Sequence, residues 1–367
     1  MVAHTVIPFV GGHLAKRFGP DEPNTYELPP WAFLVMLVNF AVLMIPLTWI
    51  HYTLGSLLPA LAMVEDPNPP AYEPLASNDD VETAGTAPSA QNKNAGPVLP
   101  GADGKPVTSS IRRTHRLLES VGGFRARFRG LMPAIASAVC TSIVNGIFVS
   151  SGLPVYLRIG GLFASLALVQ LNTAWVHIIM TPPSPLSFWR RLPPFRRTFE
   201  ATCFPVFANW AASTLAILLP LGTAAMLGLQ IWSPDKPDQI PRYHSSDSWK
   251  TFLVWLISVG SQLLLVLPAQ VGLIRVQASL LNPEEPTIIP FDTTFQGMVG
   301  SAVVDGKGYV TLRDAIKTFS RASWIRLLKL YVKTFFISLA AYFVVIIALI
   351  VQMVFLSAAA KPVDGKN

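Results

Sequence analysis

The tetrapeptide Pro69-Pro70-Ala71-Tyr72 has the residue types and the spacing of a peptide ligand. Consecutive prolines pre-set an extended polyproline II conformation at a small entropic cost, and WW domains bind that conformation in aromatic grooves. The tyrosine completes the Pro-Pro-x-Tyr pattern that such grooves recognise. The sequence therefore predicts a site at which a WW-domain protein binds.

A second candidate site lies in a long apolar stretch and consists of Gln262, Pro268 and Gln270. Pro268 has no N–H, so the carbonyl of Leu264 loses its helical hydrogen-bond partner. A helix kink with polar neighbours is a place where a cavity forms within a membrane. These three residues predict a solute pocket, and the alternative is that the amides only hydrogen-bond between helices.

Two groups of cations lie next to apolar stretches. Arg125, Arg127 and Arg129 alternate with Phe124, Ala126 and Phe128, while Lys317 and Arg321 fall in a predicted amphipathic helix. Basic residues at such positions attract anionic lipid headgroups. The alternative is that they only fix the orientation of the chain in the membrane.

Catalytic motifs are missing from the sequence. There is no Gly-x-Ser-x-Gly elbow, no phosphate-binding glycine loop and no His-Glu-x-x-His zinc motif. No Asp, Glu, Cys or second His stands at a metal-ligand or catalytic spacing from His177. We therefore expect no enzyme, no cofactor and no metal site.

The composition indicates a membrane protein. Of 367 residues, 51% are hydrophobic and only 13% are charged, with a mean hydropathy of +0.45. The net charge of +7 comes from Lys and Arg near apolar stretches, where lipid headgroups explain them better than nucleic acid does. We therefore expect the lipid bilayer as a partner and no nucleic acid, while the oligomeric state stays open.

Six apolar stretches are each long enough to cross the roughly 20-residue thickness of a bilayer core. The predicted fold class is an all-α membrane protein with six transmembrane helices, a long disordered cytosolic loop and an interfacial amphipathic helix before the last span. The predicted segments are a tail at 1–30, the first helix at 31–54, the disordered, basic-ended loop at 55–130, helices two to five at 131–274, a loop with the interfacial helix at 275–333, the sixth helix at 334–356 and a tail at 357–367.

Local signals support the two non-spanning predictions. The 47 residues from Val64 to Ser110 contain eight prolines and too little apolar surface to fold, so we expect disorder. Thr311 followed by Asp314 is a helix-capping pattern, and it predicts that the interfacial helix begins there. Beyond Trp324 the basic residues shift to another face, so we expect a bend before the sixth span.

The distribution of basic residues predicts the orientation. Near the ends of the spans, 18 Lys and Arg lie on one side of the membrane and 8 on the other. The positive-inside rule then puts the loops at 55–130, 181–200 and 275–333 in the cytosol. Both termini are predicted to be lumenal or exterior, in the endomembrane system or the plasma membrane.

Two stretches resemble a group of fungal multi-pass membrane proteins that often carry the label ubiquitin carrier protein. They are Trp175-Val-His-Ile-Ile-Met-Thr-Pro-Pro-Ser184, continuing into Phe188-Trp-Arg-Arg-Leu-Pro193, and Arg275-Val-Gln-Ala-Ser-Leu-Leu281, continuing to Phe291-Asp292. The resemblance covers the chain from the second span onward. A ubiquitin-conjugating enzyme would need a His-Pro-Asn tripeptide and an exposed nucleophilic cysteine, whereas Cys140 and Cys203 fall in apolar stretches.

Two functions are consistent with these observations. The first is a non-enzymatic membrane adaptor that recruits a WW-domain ubiquitin ligase through Pro69–Tyr72. The alternative is a transporter or channel for a neutral or lipid-like solute, with Gln262, Pro268 and Gln270 at its pocket.

Overall fold

The computed structural model describes residues 26–27, 29–66, 106–152, 155–230, 247–295, 297–299, 308–359 and 361–362. The regular secondary structure of these residues is helical apart from one two-residue strand pair, which confirms the all-α class. The chain divides into two compact units, one of Met1–Thr48 with Ile337–Asn367 and the other of Trp49–Phe336.

The first unit contains helix α1 (Pro30–Trp49) up to Thr48 and the second half of the last helix, α11 (Arg321–Ala359). Strand β1 (Tyr26–Glu27) pairs antiparallel with β2 (Lys361–Pro362). Between the two helices the Asn39 side-chain amide donates a hydrogen bond to Gln352 Oε1. Such a pair satisfies two polar groups that would otherwise face lipid.

The second unit is a helix bundle with α7 at its centre. Helix α7 packs against α5, α6, α8 and α9, while α4 packs against α5 and α6, and α9 also contacts α2 and α10. The helices are α2 (Leu58–Val64), α3 (Ile111–Gly122), α4 (Leu131–Ser150), α5 (Ile159–Ala167), α6 (Val169–Met180), α7 (Phe195–Met226), α8 (Ser248–Ser261), α9 (Leu267–Ser279), α10 (Leu312–Lys317) and the first part of α11.

Within the described residues, five helical segments are long and apolar enough to cross a membrane, and a bent sixth is formed by α5 and α6 together. Large apolar side chains such as Phe33, Phe204 and Phe343 point outward on these helices. Outward-facing apolar surface of this extent is typical of helices surrounded by lipid. The class of integral membrane protein predicted from the sequence is therefore supported.

Two continuous helical segments contain a wider π-helical turn just ahead of a proline. The turn Gln262–Val266 joins α8 to α9, and the Leu267 N–H bonds the carbonyl five residues back, next to Pro268. The turn Ile50–Leu57 joins α1 to α2 in the same way, ahead of Pro59. Because proline has no N–H to donate, the wider turn lets each helix continue past it.

The prediction that 55–130 is a single disordered loop is wrong at both ends. The first helix continues through the π turn to Val64, because Leu57–Val64 is apolar and buried in the core. At the other end the short 3₁₀ helix Val107–Ser109 precedes α3, which buries Leu117 and Leu118. Residues 67–105 lie outside the described residues, so their disorder stays a prediction.

The boundaries near the last span also differ from the prediction. The Thr311 cap is confirmed, since Thr311 Oγ1 accepts a hydrogen bond of 3.3 Å from the Asp314 N–H. Helix α10 nevertheless ends at Lys317, and α11 runs unbroken from Arg321 through Trp324, so the predicted bend there is wrong. Buried side chains such as Leu327 hold the first turns of α11 in the core.

Candidate functional site

A cavity of about 280 Å³ lies between five helices of the second unit and is here called the bundle pocket. Ligand pockets in proteins start at about 300 Å³, so this volume suits a small molecule. Eight of the fourteen lining residues carry polar side chains, although the cavity lies between helices apolar enough to cross a membrane. The lining residues are Thr141, Arg158, Gly161, Ser165, Asn172, Trp175, Val206, Asn209, Trp210, Ser213, Gln270, Leu273, Ile274 and Gln277.

Helix α7 forms one wall of the bundle pocket. Val206, Asn209, Trp210 and Ser213 follow one another at intervals of three, one and three residues, which places them on one face of a helix. The Asn209 Oδ1 atom is buried and has no hydrogen-bond partner among the described residues. The pocket therefore contains an unused acceptor at its wall.

Arg158 stands at the start of α5, where the backbone adopts a left-handed conformation with φ = +49°. The indole N–H of Trp210 donates a 3.1 Å hydrogen bond to the Arg158 carbonyl. After Arg158, α5 approaches α4 closely, since a Cβ on Gly160 would lie 2.8 Å from the Asn145 Cα. These contacts fix the backbone from which the Arg158 side chain reaches the pocket.

The contact with Trp210 places Arg158 beside the middle of a long helix. Trp210 is the sixteenth of the 32 residues of α7, which is about 48 Å long at 1.5 Å per residue. A hydrocarbon layer about 30 Å thick that α7 crosses completely must include the helix midpoint. For a bilayer that α7 crosses completely, Arg158 would therefore lie beside a residue at the depth of the hydrocarbon layer.

The bend between α5 and α6 explains this position. The two helices meet at Leu168 with an angle of 67°, so together they reach less far across the bundle than one straight helix of the same length. Sequence alone predicts a straight span over 159–180. The bend moves the preceding turn, and Arg158 with it, toward the middle of α7.

The electrostatics of the bundle pocket are dominated by one cation. Arg158 is the only ionisable residue among those that line it. The side chain of Arg158 is exposed and forms no hydrogen bond or ion pair with another described residue. The pocket thus presents one positive charge, several neutral amides and hydroxyls, and no carboxylate.

Hydrogen bonds hold the α6 side of the pocket. The Trp175 indole N–H donates to Tyr52 Oη at 3.0 Å, and the Tyr52 hydroxyl donates to the Arg129 carbonyl. Nearby, the buried His177 Nε2 lies 2.9 Å from the Gln277 carbonyl, which gives the imidazole a structural partner. Trp175 therefore cannot leave the wall without breaking a buried hydrogen bond.

The three residues predicted for a solute pocket lie at different places. Gln270 lines the bundle pocket, as the prediction required. Gln262 is exposed and outside the lining, and Pro268 follows the π turn without lining the pocket. The sequence located the helix but not the face that meets the cavity.

The basic residues predicted to contact lipid headgroups lie in different environments. Arg125, Lys317 and Arg321 are exposed. Arg127 hydrogen-bonds to Glu119, and this contact is the main cause that lowers the pKa of the Glu119 carboxyl. Arg129 is buried, and its Nε donates a hydrogen bond of 2.9 Å to the Ile178 carbonyl. Its side chain therefore stabilises the interior of the bundle.

Two further arginines hold the C-terminal end of α2 and are here called the arginine clamp: Arg275 and Arg326. Arg275 Nη1 donates to the Met63 carbonyl at 3.2 Å, and Arg326 Nη2 donates to the Ala62 carbonyl at 3.3 Å. The last carbonyls of a helix lack internal partners and carry a partial negative charge. The two guanidinium groups of the clamp give these carbonyls hydrogen-bond partners and balance their partial negative charge.

Aromatic rings and a carboxylate complete the clamp. The Arg275 guanidinium lies 4.0 Å from the Phe295 ring centroid and 5.2 Å from that of Phe319. Arg326 Nη1 is 3.5 Å from Glu65 Oε2, and Glu65 is fully buried. Glu65 also accepts a 3.0 Å hydrogen bond from the Thr108 N–H. The clamp cations are thus matched by acceptors and π faces.

Two further predictions from the sequence concern the peptide motif and metal binding. The motif Pro69–Tyr72 lies outside the described residues. Among the described residues, no group of three or more His, Cys, Asp or Glu side chains is placed to hold a metal ion.

Sequence reasoning missed Arg158, Asn209 and the two pocket tryptophans. The amides were visible as polar residues inside apolar stretches, but only the three-dimensional structure shows which of them share a cavity. Comparison of the chain with family models, curated proteins and solved structures gives no match. The resemblance to fungal multi-pass proteins therefore rests on its quoted residues alone.

Proposed function

We propose that this protein binds a small polar solute in the bundle pocket and carries it across a membrane. The observation that carries the proposal is a polar cavity beside the midpoint of α7. Transporters place their substrate sites near the middle of the bilayer, often next to interrupted helices. The interruption at Leu168 lies between the lining residues Ser165 and Asn172, and the π turn ends four residues before the lining residue Gln270.

The unmatched polar groups support a polar occupant. Buried polar atoms in proteins are nearly always hydrogen-bonded, and an unsatisfied one is unfavourable. Asn209 Oδ1 has no partner among the described residues. Because this atom is buried from solvent, a hydroxyl or N–H of a bound solute, or water that accompanies it, would reach the oxygen after rotation of the Asn209 side chain.

The proposal includes a topology of six spans, with the bent α5–α6 pair counted as the third. We place the arginine clamp on the cytosolic side and both termini on the lumenal or exterior side, because 18 of the Lys and Arg near span ends share the clamp's side. Residence in the endomembrane system or plasma membrane belongs to the same proposal. Digestion of an N-terminal tag by protease outside sealed cytosol-out vesicles would contradict this orientation.

The test compares two glutamines on the same helical segment. Purified protein is reconstituted into lipid vesicles loaded with a mixture of sugars, polyols, amino acids and organic acids, and the efflux of each is measured by mass spectrometry. Gln270→Leu removes an amide from the pocket wall, whereas Gln262→Leu removes an exposed amide eight residues earlier.

We expect at least one solute to leave wild-type and Gln262→Leu vesicles faster than protein-free vesicles, with Gln270→Leu at least tenfold slower. Equal efflux from all three proteins, or no efflux beyond that of empty vesicles, would contradict the proposal. Size-exclusion chromatography of each variant shows that the folded protein is being compared.

A second candidate function is the adaptor that the sequence predicts. Its support is the motif Pro69–Tyr72, which begins three residues after Asp66, and the Asp66 N–H donates a 3.0 Å hydrogen bond to the Pro290 carbonyl. The motif therefore follows directly on an anchored residue. In the proposed orientation it faces the cytosol, where a WW-domain ubiquitin ligase would meet it.

A pull-down with a WW-domain ligase separates this candidate from the transporter. Full-length wild type should be recovered, and Tyr72→Ala should lose recovery at least tenfold because the groove reads the tyrosine. Tyr309→Ala serves as a control at a tyrosine outside the motif. Equal recovery of wild type and Tyr72→Ala would exclude the adaptor and leave the pocket proposal unaffected.

A further inference from the structure

We infer that the solute of the bundle pocket carries an oxyanion, a carboxylate or phosphate group, and that Arg158 binds it. This inference rests on the proposed function and narrows it to a chemical class. It also replaces the neutral or lipid-like solute of the sequence-based alternative with one that carries a negative charge.

The charge of the pocket is the first argument. A cation at the depth of the hydrocarbon layer is unfavourable unless an anion or water balances it, and such residues mark solute pathways. Arg158 lies beside the midpoint of α7, yet none of the residues lining the pocket is Asp or Glu. The pocket lining therefore supplies no negative charge to this cation, and a bound anion would supply one.

The availability of the Arg158 guanidinium is the second argument. The buried arginines 129, 275 and 326 all donate to backbone carbonyls of neighbouring helices. Arg158 makes no such contact among the described residues, and its side chain is exposed at the cavity. Its planar group retains the paired N–H donors that match two oxygens of a carboxylate or phosphate.

The backbone at Arg158 is the third argument. Few residues other than glycine adopt a positive φ, and such conformations persist where surrounding contacts impose them. Here the Trp210 indole N–H and the start of α5 both bond the Arg158 carbonyl, the latter through the Leu162 N–H at 3.2 Å. The bundle thus holds the arginine in a fixed, uncommon conformation that directs its side chain to the pocket.

Two sources supply this chemistry: a free organic acid or phosphate ion, and the phosphate of a lipid headgroup. A cavity of about 280 Å³ admits a small acid whole, or the headgroup of a lipid whose chains stay outside. Both sources use the same contact to Arg158. The experiment therefore has one arm for each.

In the first arm, protein in a nonionic detergent is titrated with inorganic phosphate or lactate, with glycerol as the neutral probe. In the second arm, short-chain phosphatidic acid is compared with the diacylglycerol that lacks its phosphate. Binding is followed as a saturable rise in the temperature of unfolding. The proteins are wild type, Arg158→Gln, Arg158→Lys and Arg190→Gln, the last removing an exposed arginine outside the pocket.

We expect wild type and Arg190→Gln to bind at least one oxyanion probe with equal affinity. Arg158→Gln should bind it at least tenfold more weakly, and Arg158→Lys should fall between them because it keeps the charge but loses the paired donors. A response in the first arm alone indicates a soluble acid, and a response in the second alone indicates a headgroup. Either result supports the inference.

Saturable binding that is equal in wild type and Arg158→Gln would overturn the inference, and so would the absence of binding by every oxyanion probe. The efflux assay keeps this failure separate from failure of the proposed function. Efflux of a neutral solute that depends on Gln270 and not on Arg158 would leave the transporter standing and exclude the oxyanion.

Discussion

The arginine clamp and the bundle pocket use the same side chain in opposite ways. In the clamp, Arg275 and Arg326 bond the last carbonyls of α2, and Arg326 also faces the buried carboxylate of Glu65. In the pocket, the Arg158 side chain makes no hydrogen bond or ion pair with another described residue. The contacts that an arginine makes, and not its presence near a span, therefore distinguish a structural role from a binding role.

The two regions also differ in how tightly they are packed. Around the clamp, side chains such as Leu61 and Met63 are fully buried. Around Arg158, the five surrounding helices leave a cavity. Close packing at one end supplies stability, while the open, polar region retains unused hydrogen-bonding groups. The substitutions below test whether stability and binding separate in this way.

The largest effect is expected for Glu65→Ala in the clamp. It leaves the Arg326 guanidinium and the Val107 and Thr108 N–H groups without the buried carboxylate they contact. Breaking a buried pair from one side costs about 3–5 kcal/mol. The free energy of unfolding should fall by that amount in an SDS titration of the purified protein.

Glu285→Ala is the matched control for that change, since Glu285 pairs with Arg191 at 3.3 Å but is 40% exposed. Exposed ion pairs contribute about 0–1 kcal/mol. A loss for Glu65→Ala no greater than that of the control would show that the clamp carries no special stability.

The next largest effect concerns two glycines that differ in how closely they are packed. A Cβ on Gly130 would lie 2.9 Å from Trp175 Cδ1 and 3.0 Å from Tyr52 Oη, and its φ is +72°. Overpacking of this kind costs about 1–3 kcal/mol. Gly161→Ala, at the pocket, meets nothing closer than the Asn145 amide at 3.5 Å.

We therefore expect Gly130→Ala to lower the unfolding temperature clearly and Gly161→Ala to leave the free energy of unfolding within about 0.5 kcal/mol. Thermal unfolding followed by tryptophan fluorescence measures both. The contrast in packing would be lost if both alanines destabilised the protein equally.

A smaller, pH-dependent effect is expected at the exposed pair of Glu119 and Arg127. The hydrogen bond from Arg127 lowers the pKa of Glu119 in the folded protein below its unfolded value of about 4.5. The stabilisation is therefore present above that unfolded value and is lost as the pH falls through the folded pKa. The small difference in unfolding temperature between wild type and Glu119→Gln should be present at neutral pH and vanish at acid pH, once the Glu119 carboxyl is protonated in the folded protein as well.

The smallest effect on stability is expected for Arg158→Gln. The Arg158 side chain has no hydrogen-bond or ion-pair partner among the described residues. The free energy of unfolding of the Arg158→Gln variant should therefore stay within about 0.5 kcal/mol of that of wild type. The same SDS titration used for Glu65→Ala measures it. A loss of several kcal/mol would place Arg158 with the structural arginines and remove the contrast between the two regions.

Local sequence signals correctly predicted those features that depend on neighbouring residues. The spacing of apolar residues predicted an all-helical membrane protein, and Thr311 with Asp314 predicted a helix start that the structure shows. Gln270 was selected because it follows Pro268 closely; it lines the bundle pocket, and its contact with a solute stays a prediction. Each of these inferences used residues close together in the chain.

Features that depend on distant contacts could not be predicted in the same way. The first helix was predicted to span 31–54, but a π turn and the burial of Leu57–Val64 extend it to Val64. The position of Arg158 beside α7 depends on the bend at Leu168 and on a hydrogen bond from Trp210, which is 52 residues away in the sequence. Such positions are set by tertiary packing.

The π turn Gln262–Val266 has a consequence for how the segment Ser248–Ser279 presents its side chains. One extra residue in a turn offsets every later position by about 100° on a helical wheel. A single wheel drawn through this segment therefore assigns Gln270 and Gln277 to directions they do not have. Deleting one residue from the turn would rotate α9 relative to α8 and change which side chains meet the cavity, although every residue that lines it would still be present.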